Sequence, residues 1–136
     1  MNPQFKARQQ NVFEILNRLS VESKKRRQTL VFVGGSAVQS VLPKPARLSI
    51  DLDVHYSGKT RQLLECLEPE FEIESRHSWN DAQFEFFKAT RQGVQVKIDF
   101  AHASISKGQF ALQKVGTEKS HFMTLIGTKE YLLASK

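Results

Sequence analysis

Cysteine is almost absent from this chain of 136 residues: Cys66 is the only one. An intramolecular disulfide and a cysteine-rich zinc site are therefore both excluded as the device that holds the fold. Four prolines and seven glycines are too few for a collagen-like or low-complexity chain. No apolar stretch approaches the ~20 residues that a membrane-spanning helix needs, the longest being strand-length pieces such as 30–34. No apolar signal-like stretch follows Met1, so an intracellular, cytoplasmic chain without membrane contact is the expectation. Acidic residues are also in deficit, 14 against 20 basic ones, giving a net charge of +6. The densest run, Lys24-Lys25-Arg26-Arg27, favours a polyanionic partner such as nucleic acid, with a solvated basic loop as the alternative. What remains, 40% apolar and 10% aromatic, suits one globular domain that can fold without a metal.

Pro3 behind Asn2 is a good helix start, and Phe5, Val12, Phe13, Ile15, Leu16 and Leu19 recur at helical spacing up to Ser20. After the basic run, Thr29–Val33 is continuously apolar and β-branched, the mark of a buried strand, and Gly34-Gly35 ends it. Ser36–Leu42 reads as about two helical turns that Pro43 and Pro45 cannot continue. Residues 58–67 read as a helix and 71–75, 83–90 and 94–100 as strands, the last two joined through Arg91-Gln92-Gly93 as an antiparallel hairpin. Residues 110–115 and 122–126 are weaker strand candidates, and 128–136 begins a helix.

Chemistry concentrates where strands alternate. Ile50, Leu52, Val54 and Tyr56 fall on one face of their segment and Asp51, Asp53 and His55 on the other. Val94, Val96, Ile98 and Phe100 likewise oppose Gln95, Lys97 and Asp99. If these strands are neighbours, three carboxylates share one sheet edge. Two unit charges at ~4 Å repel by about 4 kcal/mol at an effective dielectric near 20, so either a proton or a divalent cation sits among them. Oxygen-only ligands suit Mg²⁺ or Mn²⁺. Upstream, strand, Gly34-Gly35-Ser36 and short helix make a phosphate cradle in which glycine lets backbone approach an anion, a plain turn being the alternative.

The order strand, Gly34-Gly35-Ser36, short helix, Asp51-x-Asp53 and later Asp99 resembles the DNA polymerase β-like nucleotidyltransferase superfamily. Within it, Val33-Gly34-Gly35-Ser36 followed by Arg47-Leu48-Ser49-Ile50-Asp51-Leu52-Asp53 is similar to the AbiEii group of toxin-type nucleotidyltransferases. The resemblance covers residues 29–100 and, more loosely, 128–136. It implies an α/β (α+β) fold with a mixed sheet flanked by helices, and one nucleotidyltransferase domain over 1–136 without the helical C-terminal region of longer relatives. It also implies transfer of an NMP from an NTP to an acceptor hydroxyl, with RNA or the tRNA 3′ end as acceptor and an antitoxin protein as partner. Carried over, Gly34, Gly35 and Ser36 contact the triphosphate, and Asp51, Asp53 and Asp99 hold Mg²⁺ or Mn²⁺. Asp99 also helps deprotonate the attacking hydroxyl, while Lys97, on phase alone, neutralises phosphate charge.

Two other readings stay open: an inactive module of the same fold that binds RNA or a protein, and a metal-dependent phosphohydrolase. His55, Arg47 and Ser49 read at least as well as structural residues. His77, His102 and His121 show no metal-ligand spacing, Phe84, Phe86 and Phe87 read as core and hairpin packing with base stacking as the alternative, and Cys66 reads as a small buried hydrophobe.

Overall fold

One stripe of the first helix is apolar at i, i+3, i+4 and i+7, and the structure, a computed structural model, buries that stripe against a sheet. It describes residues 3–33, 51–75, 84–102, 107–116 and 121–127, with the side chains of 3–5, 51 and 107 outside the description. Helix α1 is Pro3–Lys25, with Val12, Ile15, Leu16 and Leu19 buried. Each such aliphatic side chain removed from water is worth about 2 kcal/mol. The helix runs past Ser20 because Ser20 and Ser23 are themselves buried, and the Ser23 hydroxyl donates to the Ser20 carbonyl at 2.8 Å. Half of the basic run therefore belongs to the last helical turn, where Lys24 and Lys25 suit the negative end of the helix dipole. Arg27 at φ 56° closes it: its N–H reaches the Lys24 carbonyl at 3.1 Å and the Gln28 N–H reaches that of Ser23 at 3.0 Å, a Schellman cap.

The strands are β1 (Leu30–Val33), β2 (Asp51–Tyr56), β3 (Glu72–Ser75), β4 (Phe84–Arg91), β5 (Val94–Ala101), β6 (Phe110–Gly116) and β7 (His121–Gly127). Between β2 and β3 lie the short helix α2 (Thr60–Leu64) and a 3₁₀ turn (Glu65–Leu67), so the helix expected over 58–67 is split. Among the described residues these seven strands form one sheet in the order β3-β4-β5-β2-β1-β7-β6. Pairs β2–β5 and β1–β7 are parallel and the others antiparallel, giving the expected mixed α+β architecture. The β4–β5 hairpin turns on Gln92 and Gly93, both at positive φ (55° and 75°), the two-residue geometry that matches strand twist. Both weak strand candidates are real strands. The expected short helix after Ser36 and the helix from 128 lie outside the described residues.

Register partners share a face, so the sheet divides cleanly. Phe32, Leu52, Val54, Tyr56, Val96, Ile98, Phe100, Phe87 and Ala89 lie on the α1 side and are buried. Among the described residues no helix is long and apolar enough to cross a membrane.

Candidate functional site

The opposite face carries the carboxylates. On β2 and β5, Asp53 and Asp99 are direct partners, as are Asp51 and Lys97 one step away and His55 and Ala101 on the other side. Neighbouring strands lie about 4.8 Å apart, so this register brings two acidic residues from distant parts of the chain onto one patch. Across β4 the rows extend: Phe86 faces Asp99, Lys88 faces Lys97 and Phe84 faces Ala101. On the other flank, Val33 faces Asp53. One row therefore reads Val33, Asp53, Asp99, Phe86. Val33 is the last residue of β1 and Gly34 follows it in the sequence, so β1 ends at the level of the carboxylates.

Asp53 and Asp99 are half-buried, and both are engaged in polar or electrostatic contact. Carboxylates one strand spacing apart repel by about 3 kcal/mol at an effective dielectric near 20, which favours a compensating cation. Lys97, half-buried at the level of Asp51 and two residues before Asp99 on the same strand, offers one such charge. Among the described residues no group of three His, Cys, Asp or Glu side chains could hold a metal, and the Asp51 side chain and Gly34, Gly35 and Ser36 lie outside the description. An oxygen-only pair at a half-buried position fits a hard divalent cation such as Mg²⁺, with Asp51 on the same strand at the i−2 position.

A second polar cluster went unread in the sequence. His102 sits between the Glu85 carboxylate (Nε2 to oxygen 2.9 Å) and the Tyr56 carbonyl (Nδ1 to oxygen 3.3 Å), and the buried Thr60 hydroxyl donates to Glu85. Burial opposes ionisation of Glu85, but the hydrogen bonds from Thr60 and His102 outweigh it and hold the carboxyl below its ordinary range. This cluster lies on the α1 side and ties α2 to the sheet. No spacing rule links residues 60, 85 and 102, so only the register could reveal it.

The basic run is partly consumed by the fold. Arg26 binds Glu22 at 2.9 Å and the Gln62 carbonyl at 3.1 Å, and Lys24 reaches the Met123 carbonyl at 3.4 Å. Of the phenylalanines read as packing, Phe87 is core and meets Phe100 edge-on at 5.8 Å. Phe84 is not: it is 44% exposed on the carboxylate face, and Phe86 beside it is half-buried. Alternation along β4 is the reason, since consecutive positions 86 and 87 must point to opposite faces. Cys66 is half-buried and its thiol is pushed up to about 11 by burial, in keeping with a packing role.

No protein-family model matches this chain, and no curated protein sequence matches it. Solved structures do. The crystal structure of ANT(2")-Ia in complex with adenylyl-2"-tobramycin is similar at a TM-score of 0.58 and 15% identity, over 92% of this chain and 74% of that one. An antigenic nucleotidyltransferase-like protein from Paracoccidioides brasiliensis gives 0.57 and 14% identity, over 90% and 62%. The lincosamide antibiotic adenylyltransferase LnuA, lincomycin-bound, gives 0.54 and 14% identity, over 89% and 83%. In a solution structure of ANT(2'')-Ia the chain spans 57% of that protein's length. At these identities the likeness is one of fold: the chain has the mixed-sheet α+β fold of nucleotidyltransferases.

Proposed function

We propose that this chain is a divalent-metal-dependent nucleotidyltransferase domain that moves an NMP from an NTP to an acceptor hydroxyl, with RNA, including the tRNA 3′ end, as the acceptor. One observation carries the reading: Asp53 and Asp99 are in register on neighbouring parallel strands, at the level where β1 gives way to Gly34-Gly35-Ser36. The fold shared with nucleotidyltransferases supports it, and the net charge of +6 supports a polyanionic acceptor. The Arg47-x-Ser49-x-Asp51-x-Asp53 stretch after the glycine turn is our ground for placing it with the AbiEii-like toxin-type group, whose members pair with an antitoxin.

In this reading Gly34, Gly35 and Ser36 hold the triphosphate, and Asp51, Asp53 and Asp99 are the residues that would hold Mg²⁺ or Mn²⁺. The bound cation would supply charge neutralisation of the phosphates and of the carboxylates. Asp99 takes the proton of the acceptor hydroxyl as its oxygen attacks the α-phosphorus. The bond from that phosphorus to the bridging oxygen breaks, and pyrophosphate leaves. Lys97 offsets negative charge beside the reacting phosphate.

Incubation with each labelled NTP, total RNA and Mg²⁺ tests this directly. Label should appear in RNA, disappear with EDTA, and fall at least 100-fold in Asp53→Asn and Asp99→Asn. RNA binding that is indifferent to both substitutions and to metal, with no covalent label, would instead mark an inactive binding module. Free nucleotide as sole product would mark a phosphohydrolase.

A further inference from the structure

Strand β4 shows the carboxylate face Phe84, Phe86 and Lys88 in succession, paired one-to-one with Ala101, Asp99 and Lys97 of β5. Phe84 is 44% exposed and Phe86 half-buried on this face, while Phe87 is the ring that the strand gives to the core. Lys88 keeps 27% of its side chain exposed and meets Glu74 at 3.2 Å, but Glu74 is 65% exposed. Such a bridge contributes little and exchanges readily for another anion. Two rings and a cation at alternate strand positions, each about 6.6 Å from the next, have the composition of a single-strand nucleic-acid track: rings for bases, ammonium for phosphate.

The row order says which substrate lies there. It runs from Val33, which leads into the glycine turn, through Asp53 and Asp99 to Phe86. In-line displacement puts the attacking oxygen and the departing pyrophosphate on opposite sides of the α-phosphorus. With the triphosphate on the β1 flank, the acceptor must come from the β4 flank. From this we infer that Phe84, Phe86 and Lys88 form the acceptor platform, on which the 3′-terminal nucleotides of a single-stranded RNA lie with their bases against the rings and a phosphate at Lys88. The inference rests on the nucleotidyltransferase reading for the direction of approach, while the surface itself can be probed without catalysis.

The experiment uses the full chain and a short oligoribonucleotide labelled with fluorescein at its 5′ end, followed by anisotropy without NTP, and a fluorescent MgATP analogue titrated separately. Phe84→Leu and Phe86→Leu, which keep the site apolar but remove the ring, should each raise the oligonucleotide Kd by about 5-fold or more. Phe84→Trp should restore wild-type affinity, which a folding defect would not allow. Lys88→Gln should reduce the slope of log K against log salt by about 0.7, the signature of one lost phosphate contact on a single strand. The affinity for the MgATP analogue should stay within about twofold in all four variants. Wild-type protein that binds no oligonucleotide, Leu variants that bind it normally, or variants that lose the MgATP analogue instead would each overturn the platform. RNA labelling that survives in the Phe84→Leu, Phe86→Leu, Lys88→Gln triple variant removes the platform and leaves the activity. Oligonucleotide binding that depends on β4 in a chain that transfers nothing removes the activity and leaves the platform.

Discussion

Replacing Asn11 by alanine should destabilise the protein by about 3 kcal/mol, far more than a polar-to-alanine change on a helix usually does. Asn11 is 3% exposed and spends its whole amide on the β4–β5 hairpin. Its Nδ2 donates to the carbonyls of Arg91 and Val94 at 3.2 and 3.1 Å, and its Oδ1 accepts from Arg91 Nε at 2.8 Å. Arg91 in turn lies 4.6 Å from the Phe71 ring centroid and binds Glu70 at 2.7 Å, and Glu70 also binds Arg18 of α1 at 2.6 Å. Alanine removes three hydrogen bonds of roughly 1 kcal/mol each and adds a small void, and the Arg91 Nε–H left behind lies in a part-buried setting where water compensates incompletely. For a domain of 136 residues that loss lowers the midpoint by about 10 °C. Urea unfolding by circular dichroism would measure it, and a cycle with Arg91→Met would separate the Asn11–Arg91 coupling from the bonds to the two carbonyls. A loss below about 1 kcal/mol with an unchanged m-value would refute the reasoning, because the clamp would then hold nothing that solvent could not.

Three further outcomes are expected. Glu70 is held below the ordinary carboxylate range by hydrogen bonds from Arg18 and Arg91, and Glu85 also lies below it. A depressed folded-state value means stability that is complete above the unfolded pKa of about 4.3 and is lost as pH falls through the folded values. Glu70→Gln and Glu85→Gln should therefore differ most from wild type in urea melts near pH 7 and converge with it toward pH 3. Gly58→Ala would place a methyl carbon against the side-chain amide of Gln28, which accepts the hydrogen bond of the buried Tyr56 hydroxyl. Gln28 must swing away, so the variant should lose about 1–2 kcal/mol in the same melts, and Gln28→Ala should make the glycine substitution nearly neutral. Cys66, with its thiol pushed up to about 11 and directed at the Arg18 carbonyl at 3.7 Å, should react with a disulfide reagent at pH 8 about tenfold more slowly than a solvated thiol. It should regain ordinary reactivity in urea.

What the sequence made legible is what a period can encode. Strict alternation through Asp51–Tyr56 and Val94–Phe100 assigned each residue to a face, and the structure keeps those faces wherever it describes the side chains. The β4–β5 turn is legible as a short loop over residues 91–93 because Gly93 takes a positive φ without steric cost, whereas the positive φ of Gln92 is not. Partnership was not legible. Nothing local says that β5 lies parallel beside β2 with residue 99 level with 53, or that β7 enters beside β1. The end of α1 is misread for a related reason: Ser20 looks like a terminator until its burial and the hydrogen bond it accepts from Ser23 are known. The exposure of Phe84 is not legible from aromatic content alone, because the phase of β4 is fixed only once Phe87 is known to face the core.

That phase links fold and site. On the α1 side Leu52, Val54 and Tyr56 of β2 and Val96, Ile98 and Phe100 of β5 are all buried, so the register of β2 against β5 is fixed by burial: a slip of one residue would turn one strand's set of three outward and expose it. The cost of such a slip, several side chains at about 2 kcal/mol each, exceeds the roughly 3 kcal/mol of repulsion between two carboxylates placed side by side. The core thus forces Asp53 against Asp99 whatever their charges prefer. In the proposed metal-binding role, carboxylates held together by packing rather than by mutual affinity would need no rearrangement to receive a cation. Conservative core changes that loosen this register, such as Ile98→Ala, should therefore reduce divalent-metal affinity together with stability, although residue 98 faces away from the carboxylates.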